Sequence, residues 1–173
     1  MHFRRFLYLD RKRTRGPLTP AELRRWLKLK RILNREFTPG RKSEGLDSRQ
    51  SVRVPAQVGV SFRDLGELRE CLMSNVSRGG VFIVTDDALD IGTRFELRIQ
   101  LEKTGESIDV PVEVVSQNAR PDRATFEPGM GLRFCEMTPE AREKIDELYE
   151  LVLAQAGERV GARPRAAGSQ AVE

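Results

Sequence analysis

The chain has 173 residues, 32% charged and 39% apolar, which is enough for one ordinary domain with extra segments and reads as soluble. No apolar run approaches the roughly 18 residues that span a bilayer, and the start "MHFRRFLYL" lacks the apolar core and cleavage site of a signal peptide, so a cytoplasmic protein is expected. The net charge of +4 hides an asymmetry: residues 1–50 hold 15 Lys or Arg against 5 Asp or Glu, and the remainder holds 15 against 21. A basic first third on an acidic body implies two parts with different surfaces.

Residues 1–17 are Arg-rich and read as a mostly irregular basic terminus. Residues 18–37 then predict a basic amphipathic helix. Thr19 caps it, Pro20 takes the first position, where its missing N–H costs nothing, and Glu22 completes a capping box. Leu18 and Leu23 flank the cap as a hydrophobic staple. Leu23, Trp26, Leu27, Leu33 and Phe37 recur at helical steps, widened by Leu29 and Ile32, while Arg24, Arg25, Lys28, Arg31 and Arg35 cover much of the rest. Pro39, Gly40 and Gly45 mark residues 38–48 as a linker.

From Arg53 the period becomes two. Val54, Ala56, Val58, Val60 and Phe62 alternate, as do Phe95, Leu97, Ile99 and Leu101, and again Ile108, Val110, Val112 and Val114. "ELRECLM", "GVFIVT" and "GMGLRFCEM" add three strands. Short strands separated by turns predict an antiparallel sheet closing into a barrel or sandwich. Pro55 and Pro111 call for edges or bulges. A closing helix begins with Thr138 as cap and Pro139 in its first turn, and carries an apolar stripe of Ile145, Leu148, Tyr149 and Val152. Residues 156–173 read as a disordered tail.

The residues argue against catalysis. His2 is the single histidine, in the terminal segment, which removes the usual imidazole base and any His-based triad or metal site. Cys71 and Cys135 stand far apart, make no metal spacing and read as buried thiols. Asp86 and Asp87 read as solvated turn residues, and no phosphate loop is present.

A binding constellation remains. "RQSVR" puts Arg49 and Arg53 at the mouth of the first strand, four apart and on one side of an extended segment. "NVSRGG" puts Asn75, Ser77 and Gly80 at a turn one strand pair later. Arginine forks onto a guanine edge or a phosphate, Asn and Ser offer donors and acceptors to a purine, and glycine lets a flat base approach the backbone. The set suits an anionic, guanine-containing ligand.

With these two motifs in this order, the chain resembles the PilZ family of bacterial cyclic di-GMP receptors, whose hallmarks are R-x-x-x-R followed by [D/N]-x-S-x-x-G. The resemblance extends over the strands "RVPAQVGVSF", "GVFI" and "GMGLRF" and the closing helix, residues 49–155. It implies a six-stranded antiparallel barrel flanked by a helix, with cyclic di-GMP as ligand and no cofactor. It implies that Arg49 and Arg53 grip guanine and phosphates while Asn75, Ser77 and Gly80 hold another guanine edge. Ser48 stands where the family often has a further Arg, so one bound ligand or a stacked pair are both open. The expected output is a conformational signal to a protein partner, the alternative being an adaptor on the same barrel without ligand. For the basic helix, packing on the barrel or on a second copy as a homodimer is favoured over nucleic acid or an anionic membrane.

Overall fold

The structure is a computed structural model and describes residues 2–37, 51–101, 104–118 and 127–161. Two helices, α1 (His2–Arg15) and α2 (Pro20–Phe37), precede strands β1 (Val54–Asp64), β2 (Glu67–Ser77), β3 (Gly80–Val84), β4 (Arg94–Leu101), β5 (Glu106–Asn118) and β6 (Gly129–Phe134), and α3 (Pro139–Gly161) closes the chain. The strands form a closed antiparallel barrel in the order β1-β2-β3-β6-β5-β4. The predicted alternation fills it: Val54, Val60 and Phe62 of β1, Leu97 and Ile99 of β4, and Ile108, Val110, Val112 and Val114 of β5 are buried.

Both prolines sit where the ladder tolerates them. Pro55 pairs with Asn75 just before the β1–β2 register shifts. Pro111 lies opposite Glu96 on β4, one residue before Val112, the first β5 residue paired to β6. The β1–β2 hairpin turns through Leu65 and Gly66, both at positive φ, a two-residue turn that follows strand twist. Ser74 is an extra residue between the pairs Met73↔Ile83 and Asn75↔Phe82. This bulge switches the phase of β2, so Met73 and Val76 both point inward while Asn75 and Ser77 face out.

α3 packs on β1 and β5 through Ile145, Leu148, Tyr149 and Val152, as the sequence predicts, and also through Leu153 and Ala156. Thr138 Oγ1 accepts from the Ala141 N–H at 3.1 Å, the predicted cap. The helix runs to Gly161, so residues 156–161, read as tail, are its last turns; Ala156 is buried and Phe3 of α1 packs against Gly157. The expectations for 38–48 and 162–173 lie outside the described residues.

The basic terminus is a helix, not an irregular segment. Phe3, Phe6, Leu9 and Asp10 recur at three- and four-residue steps, and Phe6, Leu9 and Asp10 are buried. A 14-residue helix this rich in arginine has little stability alone, so tertiary burial decides its state. α1 supplies the partner that α2 needs. The Phe6 and Trp26 rings stack with centroids 6.0 Å apart, and Trp26, Leu29 and Leu33 are buried. The stripe of α2 is therefore covered within the chain, by α1. Its seat is rotated from the predicted one: Leu23 and Leu27 are 42% and 41% exposed and lie at the rim. The capping box forms as predicted, with the Thr19 N–H donating to Glu22 Oε2 at 3.0 Å and the Glu22 N–H to Thr19 Oγ1 at 3.3 Å. Cys71 and Cys135 are free and half-buried rather than fully enclosed.

Two outcomes test this packing. Trp26→Ala should cost about 3–5 kcal/mol in urea unfolding, and hydrogen exchange should show α1 and α2 losing protection together. Glu22 is held at about 2, first by its hydrogen bond from Lys12 and then by the Thr19 N–H and hydroxyl. A depressed carboxylate stabilises fully above its ordinary value of 4.5 and stops doing so as pH falls toward 2. Helix content should drop across that window, and Glu22→Gln should remove that step from an acid titration followed by circular dichroism.

Candidate functional site

The two motifs meet where β1 begins and β2 turns into β3. Val54 pairs with Val76 and Pro55 with Asn75, so the same register, continued by one residue, sets Arg53 beside Ser77 on the outer face. Arg78 and Gly79 make the two-residue turn between the paired Ser77 and Gly80. Ser77 Oγ donates to the Gly80 carbonyl at 3.0 Å and braces the turn.

A cavity of about 580 Å³ opens at this point. Ser51, Arg53, Ser77, Arg78 and Gly79 line it from the barrel, Asp10, Arg13 and Thr14 from α1, and Arg142 and Asp146 from α3. Its size suits a small-molecule ligand. Among the predicted site residues, the structure brings Arg53 and Ser77 together here. Asn75 is half-buried two residues along the same face of β2 and does not line the cavity. Arg49 lies outside the described residues.

The two glycines of the turn differ. A methyl group on Gly80 would run into the Leu132 carbonyl of the neighbouring β6, so Gly80 is explained by barrel closure. Gly79 has no positive φ and no neighbour that a methyl group would meet, yet it lines the cavity. Of the two, Gly79 lines the cavity and the predicted Gly80 does not.

Sequence reading missed Arg78, the dominant charge of the site. Its guanidinium is 14% exposed and pairs with Asp10 Oδ2 of α1 at 3.1 Å, with Asp146 of α3, and with Glu150 at 3.4 Å. It also lies 4.8 Å from the Tyr149 ring centre. Burial disfavours its charge, but the carboxylates of Asp10 and Asp146 outweigh this, so it is held more firmly protonated than an ordinary arginine. Burial, reinforced by Asp10, pushes the Tyr149 phenol far up, so it stays neutral. Asp10 itself is buried, and its other oxygen accepts from Trp26 Nε1 at 3.0 Å. One chain of contacts thus runs from the β2–β3 turn through α1 to α2. Arg13 and Arg142 were also missed, since nothing near them in sequence marks them as cavity residues. Among the described residues no group of His, Cys, Asp and Glu is arranged to hold a metal.

A family model described as the PilZ domain matches residues 47–151. The structure is similar to the PilZ domain with c-di-GMP of YcgR from Escherichia coli, at 17% identity and a TM-score of 0.56, covering 68% of this chain and all of that one. It is also similar to the Bacillus subtilis inhibitor of motility MotI (24%, 0.51, 68% of this chain and 54% of that one). A third similar structure is the K. pneumonia MrkH–c-di-GMP complex (14%, 0.56, 66% and 55%). The chain spans about half the length of MotI and MrkH. No curated protein sequence matches it.

Removing Arg78 leaves Asp10 buried and short of its counter-charge. Arg78→Ala should therefore cost about 3–5 kcal/mol in urea unfolding. Adding Asp10→Ala should recover part of that loss, and the non-additivity of the cycle measures the coupling.

Proposed function

The chain belongs to the PilZ domain family, and from this premise we propose that it is a receptor for cyclic di-GMP that relays binding through its helical arm. The observation that carries the reading is the cavity at the β2–β3 turn, where Arg53 of the first motif and Ser77 of the second line one space beside Gly79. The similar YcgR and MrkH structures hold the same ligand. In this reading Arg53 and Arg49 fork onto phosphate and guanine, and Ser77 and Asn75 bond a guanine edge. Gly80 keeps the turn seated against β6. Arg142 and Arg13 add positive charge for an anionic ligand.

The relay follows from what already fills the cavity wall. Asp10 of α1 neutralises Arg78 there. A ligand phosphate reaching Arg78 competes with that carboxylate, and the position of α1, with α2 stacked on it, changes with the outcome. Binding thus biases two arrangements of the arm by its different contacts in each. A change in the arm is what a downstream protein reads.

Calorimetric titration tests the ligand. Cyclic di-GMP should bind, and Arg53→Ala and Arg49→Ala should each weaken it about ten- to a hundredfold, the loss of a charge-assisted contact. Ser77→Ala should weaken it by up to about tenfold. A folded protein that gives no heat and no thermal shift rejects the receptor reading in favour of the adaptor on the same barrel. Equal affinity for linear GMP removes the claim of specificity.

A further inference from the structure

The face of α2 turned away from α1 has no task in the ligand site. Arg24, Arg25, Lys28, Arg31 and Arg35 are all exposed on it. Arg24, Lys28, Arg31 and Arg35 follow one another at steps of four, three and four, so they form a single ridge about 16 Å long at 1.5 Å per residue. Like charges at such steps repel and weaken a helix. Among the described residues no carboxylate pairs with any of the five. The acids of the hairpin are engaged elsewhere: Glu22 with Lys12, Asp10 with Arg78 and Trp26. Glu36 lies off the ridge.

The chemistry of this face selects its partner. A helix that settles in a lipid interface buries an apolar face there. Here Trp26, Leu29 and Leu33 are buried within the protein, leaving Leu23 and Leu27 at one rim. What remains outward is a line of cations with arginine predominant, and the planar guanidinium fork matches pairs of phosphate oxygens. We propose that the α2 ridge binds the phosphate backbone of double-stranded nucleic acid, without reading its bases. The inference does not depend on what occupies the cavity at the β2–β3 turn.

Fluorescence polarisation of the full chain with a labelled duplex of arbitrary sequence, about two helical turns long, tests it. Binding should be micromolar at low salt, and log K against log salt should fall with a slope of about −4, one counterion per ridge contact. Between about 50 and about 200 mM salt that is a loss of about 250-fold. The variant Arg24→Gln/Lys28→Gln/Arg31→Gln keeps good helix formers on an exposed face. Its melting temperature should equal or slightly exceed the parent's, since repulsion along the ridge is relieved, while its affinity should fall at least tenfold and its slope should fall to about −1. No polarisation change at low salt overturns the proposal, as does equal binding by the triple variant. Binding to phosphatidylserine vesicles without binding to the duplex assigns the ridge to membranes and overturns it too. Salt-sensitive dimerisation, lost in the variant and unaccompanied by duplex binding, assigns it to the acidic face of a second copy.

Discussion

The arrangement of helices around the barrel depends on one guanidinium. Arg78 occupies a turn with room for only two residues, and its side chain is mostly withdrawn from water. A desolvated charge needs partners, and the turn supplies none. They come from α1, through Asp10, and from α3, through Asp146, Glu150 and the face of Tyr149. Asp10 passes the contact on to Trp26, and so to α2. A flat fork with donors in fixed directions holds several carboxylates in set places, which the point charge of a lysine does not do. Such a network adds little net stability over apolar packing, but it is costly to break, so it fixes position.

The same turn lies at the mouth of the candidate site, and this joins architecture to chemistry. Ser77 is aimed by the barrel ladder through its pairing with Gly80, and Arg53 adjoins Val54, the first paired residue of β1. Asp10 and Arg13 are aimed by α1, whose place depends on Arg78. One wall of the cavity is thus built on the barrel, and the facing wall belongs to α1, which the Asp10–Arg78 and Arg11–Glu150 ion pairs and the burial of Phe6 and Leu9 hold in place. The bulge at Ser74 matters for the same reason: without its phase change, Ser77 would point into the core and Val76 into the cavity.

What the sequence revealed follows from the range of the forces involved. Alternation and capping act over a few residues, so the six strands, the Thr19–Glu22 box and the Thr138 cap were legible. α1 was not, because arginines interrupt its narrow stripe and its helicity depends on burial against residues far along the chain. The rotated face of α2 was hidden for the same reason, since Leu23 and Leu27 fit a helical period as well as Leu29 does. Arg78 looked like a turn residue because its carboxylates lie 68 and 72 residues away. Two adjacent glycines looked alike in sequence, and only the neighbouring strand β6 separates them.

The Asp10–Arg78 pair also sets the energetics of any relay. A ligand that merely broke it would have to supply about 3–5 kcal/mol for the stranded carboxylate. In the proposed relay a phosphate in its place would keep Arg78 paired and Asp10 would regain water as α1 shifts, so the exchange would cost less than simple breakage. The ligand's remaining contacts then act as bias. Two charge-assisted arginine contacts at about 1.5–3 kcal/mol each approach the roughly 5.5 kcal/mol that turns a 1:99 population into 99:1. The proposed relay would divide these roles, with the anchoring Arg53 next to the first paired residue of β1 and the competing carboxylate, Asp10, on α1.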